Sequence, residues 1–187
     1  MNIHFLDKID KSWSLFLDRD GVINKRIIDG YVQNKSQFHL LDGVTEAIDI
    51  FKKIFGHIFI VTNQQGIGKG LMTEKNLSDV HNYMQELIGI QFDGIYFCPS
   101  LAKDNSPMRK PNIGMAIEAQ KDFPSVDFSK SVMVGDSSGD ILFGKNAGMK
   151  TVYINPDENN EEADLNCPSL YHFAQILDKS CFSLPAL

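Results

Sequence analysis

The sequence predicts an α/β protein built on a doubly wound parallel sheet. Short apolar runs alternate along the chain with amphipathic, helix-like stretches. The runs do not alternate apolar with polar residues, which is the pattern of strands covered on both faces. Charged and polar residues gather directly after the runs, where open parallel sheets bind ligands.

Each element follows from the chain in order. Residues 1–13 mix Asp and Lys with apolar residues and lack the apolar core of a leader, so none is expected. A first strand is expected over 14–18, followed by Asp20 and Gly21. The stretch 24–40 is irregular, and a long loop beside a scaffold strand is more often functional than idle. A helix over 44–55 precedes a second strand, 57–62, which ends in Thr62-Asn63-Gln64-Gln65-Gly66.

Gly66-Ile67-Gly68-Lys69-Gly70 is a glycine turn rather than a nucleotide loop, because a Walker motif needs other spacing and a Ser or Thr directly after its Gly-Lys. The next helix, 74–88, carries Leu77, Val80, Met84, Leu87 and Ile88 at helical spacing, with Thr73 as its cap. A third strand, 94–98, runs into Cys98-Pro99 and, farther on, Arg109-Lys110-Pro111. Helix 113–123 and strand 131–135 follow, and that strand leads into Asp136. A helix over 141–147 stops at Gly148, a fifth strand covers 151–154, and a short helix, about 170–177, closes the series after an acidic loop at 157–164.

The 187 residues suit a single domain, 1–187, large enough to bury a core without staples. Net charge is −6 with no basic run, which argues against nucleic acid and anionic membrane as partners. Three scattered cysteines, Cys98, Cys167 and Cys181, form neither a disulfide framework nor a zinc knuckle and fit reduced thiols in a cytoplasm. The five histidines show no metal spacing, so packing is their expected use.

The chemistry is concentrated at the strand ends. Asp18 and Asp20 leave the first strand two residues apart, and Asp136 and Asp140 follow the fourth. Buried carboxylates are costly unless paired or bound to a cation. Oxygen donors without histidine suit a hard ion such as Mg²⁺. A carboxylate can be the nucleophile of phosphoryl transfer, a second can move the proton, and a lysine and a threonine can hold phosphoryl oxygens.

These residues resemble the motifs of the haloacid dehalogenase superfamily of aspartate-nucleophile phosphatases. Asp18-Arg19-Asp20-Gly21 is similar to its first motif, Thr62-Asn63 to the second, Lys110 to the third, and Gly135-Asp136 with Asp140 to the fourth. The resemblance implies a Rossmann-like sheet with the Asp18 strand central. It implies Asp18 as nucleophile, Asp20 as general acid/base, and Thr62, the Asn63 backbone and Lys110 gripping the phosphate. It also implies Mg²⁺ held by the Asp18 and Asp136 carboxylates and the Asp20 carbonyl, with Asp140 orienting metal-bound water or the Lys110 ammonium.

No cap domain fits between the motifs. The closest resemblance is to the capless branch of heptose-bisphosphate and histidinol phosphatases. It rests on Asp18 to Asn24, Asp29-Gly30-Tyr31-Val32, Thr62 to Ile67, Gly70 to Glu74 and Asp93 to Pro99. It implies substrate contacts from Tyr31, Asn63, Gln64 and Arg109. The branch's zinc loop is reduced here to Cys98, with Ser100, Ser106 and Met108 in the other ligand positions. One thiolate makes no tetrahedral site, so no zinc is expected.

The reading is an Mg²⁺-dependent phosphomonoesterase for a small sugar phosphate, the heptose 1,7-bisphosphate of surface-glycan synthesis, acting as a cytoplasmic monomer. Histidinol phosphate or another small phosphomonoester is the alternative. A polynucleotide end-phosphatase is disfavoured by the charge. A non-catalytic binding domain is disfavoured by the retention of Asp18, Asp20, Lys110 and Asp136 together.

Overall fold

The computed structural model describes residues 3–182, with side chains as far as Asp178, so the side chain of Cys181 lies outside the described residues. The chain runs β1 (Ser14–Leu17), α1 (Val44–Ile54), β2 (His57–Asn63), α2 (Glu74–Ile88), β3 (Gly94–Cys98), α3 (Gly114–Asp122), β4 (Ser131–Gly135), α4 (Ser138–Ala147), β5 (Lys150–Ile154), β6 (Leu165–Cys167) and α5 (Leu170–Phe182). All strand pairings are parallel, in the order β3-β2-β1-β4-β5-β6. Ser14 pairs with His57 on one side and Ser131 on the other, so β1 is central as expected. The chain winds outward from β1 to β3, then returns and winds the other way from β4. That reversal opens a crevice at the carboxyl ends of β1 and β4.

Both faces of the sheet are covered, which explains the unalternating strands. Leu15 and Leu17 of β1 point into a core with Ile48 and Phe51 of α1, Val80 and Met84 of α2, and Phe173 and Leu177 of α5. Phe16 points the other way, into a second core with Phe59, Met133, Met115 and Ala119 of α3, and Phe143 of α4. Each face contributes burial of roughly 25 cal/mol per Å² of apolar surface. Ring contacts tie the layers: Phe51 lies 5.5 Å from Phe173, and Phe16 lies 5.0 Å from Phe59.

Helix ends follow the sequence signals. Thr73 caps α2 in a reciprocal box with Asn76, and Gly148 ends α4 at φ 83°. Three differences stand out, the first two with a physical reason. β6 has only three residues and two apolar side chains, too little pattern to separate it from the acidic loop. α4 starts three residues before the expected 141, because its first turn is polar and is closed by Ser137 bonding Asp140. α5 runs on to Phe182 rather than stopping near 177. Among the described residues no helix is long and apolar enough to cross a membrane.

Phe51 is fully buried and joins α1 to α5 through Phe173. Phe51→Ala is expected to cost about 3–5 kcal/mol, the range for emptying an aromatic core site. Urea unfolding followed by circular dichroism should show a lower midpoint at an unchanged slope.

Candidate active site

The site forms where β1 and β4 end. Asp18 continues β1, its backbone N–H donating to the Val134 carbonyl at 2.9 Å. Asp136 follows β4, and its carboxylate packs against the turn after Asp20. Only glycine fits there: Gly21 has φ 94°, and a Cβ on it would lie 2.0 Å from Asp136 Oδ2.

At the floor of the site lies Lys110, almost fully buried. Its Nζ donates to Asp18 Oδ1 at 2.8 Å, Asp140 Oδ1 at 2.6 Å and the Val61 carbonyl at 2.7 Å. An ammonium has three donors, and all three are used. The loop that presents Lys110 is fixed from β2: Asn63 accepts from the Lys110 N–H at 3.1 Å and donates to its carbonyl at 3.2 Å. Burial works against the lysine's charge, but Asp140 and Asp18 outweigh it and raise its pKa above the ordinary value. Burial, with Asp140 and Asp136 nearby, pushes the Asp18 carboxyl above the usual carboxylate range against the pull of Lys110. Asp136 is raised as well, by burial and then by Asp140.

Three carboxylates, Asp18, Asp136 and Asp140, each offer an oxygen within 4.8 Å of the others. Asp140 is already committed, with Oδ1 on Lys110 and Oδ2 accepting from Ser137 Oγ at 2.6 Å. Asp18 and Asp136 remain, and Asp136 Oδ1 is buried with no hydrogen-bond partner. Two carboxylates held above their usual pKa range, one with an orphaned oxygen, fit a hard divalent cation that would favour both anions.

Asp20 is held differently. Arg19 Nη2 donates to both of its oxygens at 2.9 and 2.8 Å, Asn24 Nδ2 to Oδ1 at 2.9 Å, and Gln64 Nε2 to Oδ2 at 2.8 Å. Burial raises the Asp20 carboxyl, but these donors and the Arg19 charge overturn it, so its pKa is lowered. Arg19 is itself fully buried, and its Nη1 meets His81 Nε2 at 3.2 Å. Burial and then the Arg19 charge push the His81 pKa down to about 3, so His81 is a neutral acceptor.

A cleft of about 560 Å³ opens above this floor, and Asp18, Asp20, Thr62, Asn63, Arg109, Lys110, Asp136 and Asp140 all line it. Tyr31 lines it too, from the irregular stretch. That stretch forms a wall: Lys25 N–H bonds the His39 carbonyl at 2.8 Å, and Val32 and Phe38 are buried anchors. Gln64 is the exception among the expected substrate contacts. It is fully buried beneath the cleft, its amide donating to Asp20 and to Thr62 Oγ1, the latter at 2.9 Å.

The residues from Cys98 to Pro111 are organised by ordinary bonds. Gly68 N–H reaches the Pro99 carbonyl at 3.1 Å, Leu101 N–H reaches Asp104, and Arg109 Nη1 reaches the Ser100 carbonyl at 3.3 Å. Met108 packs on the second core, and Cys98 is a buried free thiol.

Sequence reasoning missed four residues. Arg26 lines the cleft and donates to Asp136 Oδ2 at 3.1 Å. Lys69 also lines it, with its Nζ 5.2 Å from the centre of the Tyr31 ring. Neither has a periodic signal. Arg19 and His81 do have one: a cation inside an apolar strand-end motif, and a histidine on the Leu77–Met84 face of α2.

The family model described as polynucleotide kinase 3 phosphatase matches residues 15–180. The chain belongs to the HAD-like phosphatases. Its relatives within that class are the D,D-heptose 1,7-bisphosphate 7-phosphatases. It is 40% identical over 154 residues to the D-glycero-alpha-D-manno-heptose-1,7-bisphosphate 7-phosphatase of Burkholderia mallei, covering 77% of this chain and 80% of the relative. It is 37% identical over 148 residues to the beta-anomer enzyme of Vibrio cholerae, covering 74% and 78%. The crystal structure of the D,D-heptose 1,7-bisphosphate phosphatase from B. bronchiseptica, complexed with magnesium and phosphate, superposes with a TM-score of 0.80 at 26% identity, covering 89% of this chain and 98% of that one.

His81 supplies a pH prediction. Its native pKa, about 3, lies below the unfolded value near 6.5, so the unfolded state binds more protons below pH 6.5. Its contribution to stability is therefore complete above that pH and is lost as pH falls. Between pH 7 and 5 the loss is about 2 kcal/mol. His81→Gln keeps an acceptor for Arg19 and removes the titration. Urea unfolding at the two pH values should show the pH-dependent loss reduced by about that amount in the variant.

Proposed function

We propose that this protein removes the 7-phosphate of D-glycero-D-manno-heptose 1,7-bisphosphate, a cytoplasmic step in making surface-glycan precursors, through an aspartyl phosphate on Asp18. The observation that carries the phosphatase chemistry is Lys110, buried and bonded to Asp18 and Asp140 at the base of the cleft. The substrate rests on the relatives named for this sugar and on the cations Arg109 and Lys69 lining the same cleft.

Lys110 holds Asp18 Oδ1, which leaves Oδ2 to attack phosphorus. The bond between phosphorus and the sugar oxygen breaks, and Asp20 protonates that oxygen. For this step Asp20 must carry a proton and turn from Arg19. Its bonds to Arg19, Asn24 and Gln64 favour instead the anion that the second step needs. There Asp20 takes a proton from water, the water oxygen attacks phosphorus, and Asp18 is released with inorganic phosphate. Esterified Asp18 has lost its charge, so the Lys110 donor it occupied becomes free for a phosphoryl oxygen. Thr62 and the Asn63 backbone hold the rest of the group. Mg²⁺, held by Asp18, Asp136 and the Asp20 carbonyl, would neutralise charge on the transferring phosphoryl group.

A small substrate is favoured over the polynucleotide ends in the family model's description. Net charge is −6, and the cations lining the cleft are Arg26, Lys69, Arg109 and Lys110, too few to make an extended basic groove. The deciding assay is phosphate release with Mg²⁺ from both anomers of the heptose bisphosphate, histidinol phosphate, hexose phosphates and 3′-phosphorylated oligonucleotides. The heptose bisphosphate should be hydrolysed with the highest kcat/KM, and preference for any other member displaces the proposal.

Asp18→Asn removes the nucleophile's charge while keeping its shape. Turnover of every substrate should fall below a few per cent, with the thermal unfolding curve still cooperative. Greater residual activity in a pure sample would place the nucleophile elsewhere.

A further inference from the structure

Arg26 stands in an unusual position. It belongs to the wall formed by the irregular stretch, its side chain is 59% exposed, and its Nη1 donates to Asp136 Oδ2 at 3.1 Å. Asp136 is one of the two carboxylates that fit a divalent cation. A cation held by Asp136 meets a guanidinium charge a few ångströms away, and like charges this close repel. The contact is a single one on a long, exposed side chain, so little holds Arg26 there. Arg26 also lines the cleft itself.

We propose that Arg26 is a transferable counter-cation: it competes with the divalent metal for Asp136 and, once displaced, grips the second anionic group of the substrate. Metal and substrate loading are then coupled through one side chain. A substrate with an anionic group beyond the reacting phosphate gives Arg26 a bidentate partner in place of Asp136. An aryl monophosphate, with no anionic group beyond the reacting phosphate, gives it none. This makes Arg26 a specificity-determining residue for bisphosphorylated over singly phosphorylated substrates, and it rests on the bisphosphate reading above.

The test has two arms. In the first, Mg²⁺ is titrated calorimetrically into the wild type, Arg26→Gln and Arg26→Lys without substrate. Arg26→Gln should bind the ion about 3- to 10-fold more tightly, the scale of removing one partly exposed neighbouring charge. Arg26→Lys keeps the charge and should stay within about twofold of wild type. In the second arm, kcat/KM is measured for the heptose bisphosphate and for an aryl monophosphate. The ratio of the two should fall about tenfold in Arg26→Gln, the scale of one lost charge-assisted contact.

Equal Mg²⁺ affinity in wild type and Arg26→Gln overturns the competition. An unchanged ratio overturns the transfer. If Arg26→Lys matches Arg26→Gln in the calorimeter, charge is not the cause and the proposal fails. A wild type without any preference for the bisphosphate defeats the substrate reading itself, and with it the transfer. That failure is told apart because the calorimetric difference between variants does not depend on substrate.

Discussion

The whole site depends on one buried ammonium. Asp18, Asp136 and Asp140 crowd the carboxyl ends of β1 and β4, at the floor of the cleft that the sheet reversal opens. Three such carboxylates cannot share that space as free anions. Lys110 compensates two of them at once and spends its third donor on the Val61 carbonyl. It thereby joins β1, β2 and the first turn of α4 at a single atom. Asp140 passes the constraint on, because its other oxygen closes the start of α4 through Ser137. Removing the lysine's charge leaves Asp18 and Asp140 without the cation that compensates them, and their protonation would change the proposed nucleophile as well as the fold.

A second arrangement governs the other carboxylate. Asp20 lies two residues from Asp18, yet the two are treated in opposite ways. Burial dominates at Asp18, and donors dominate at Asp20. Arg19 produces the difference, since it lies between them in sequence with its guanidinium turned onto Asp20. A fully buried arginine needs partners for its donors, and His81 supplies one as a neutral acceptor from α2. Asp20, the proton carrier of the proposed reaction, is thus oriented by buried side chains, Arg19, Asn24 and Gln64. Divergent environments for two neighbouring carboxylates are what a two-step reaction with distinct nucleophile and proton carrier requires.

Much of this was legible in the sequence, and the reasons differ by element. β1, β2 and β4 are buried on both faces, so burial is written as continuous apolar runs that end where the site begins. β6 was not legible because two apolar residues make no pattern. Asp18, Asp136 and Lys110 could be placed because strand ends converge in a parallel sheet. Arg26 and Lys69 could not, since their positions are set by the path of irregular backbone, which no periodicity encodes. Gln64 shows a further limit: the motif places it at the site, but only the fold reveals that it lies under the floor with its amide committed to Asp20 and Thr62.

The stretch from Cys98 to Pro111 shows how one loop can carry two separable tasks. Its end is fastened from β2 by the reciprocal pair between Asn63 and the Lys110 backbone, and Lys110 Nζ is fastened again from below. None of these bonds involves the tip, where Ser100, Ser106 and Met108 stand. The tip is shaped by its own turns, by Met108 against the second core and by Arg109 on the Ser100 carbonyl. Changes in the tip therefore leave Lys110 in register, while Arg109 moves with the tip. In the proposed reaction, the rigid sheet edge would read the reacting end of the substrate and the loops its distal end. On that division, substitutions at the tip would alter which phosphate ester fits without disturbing how the ester is cleaved.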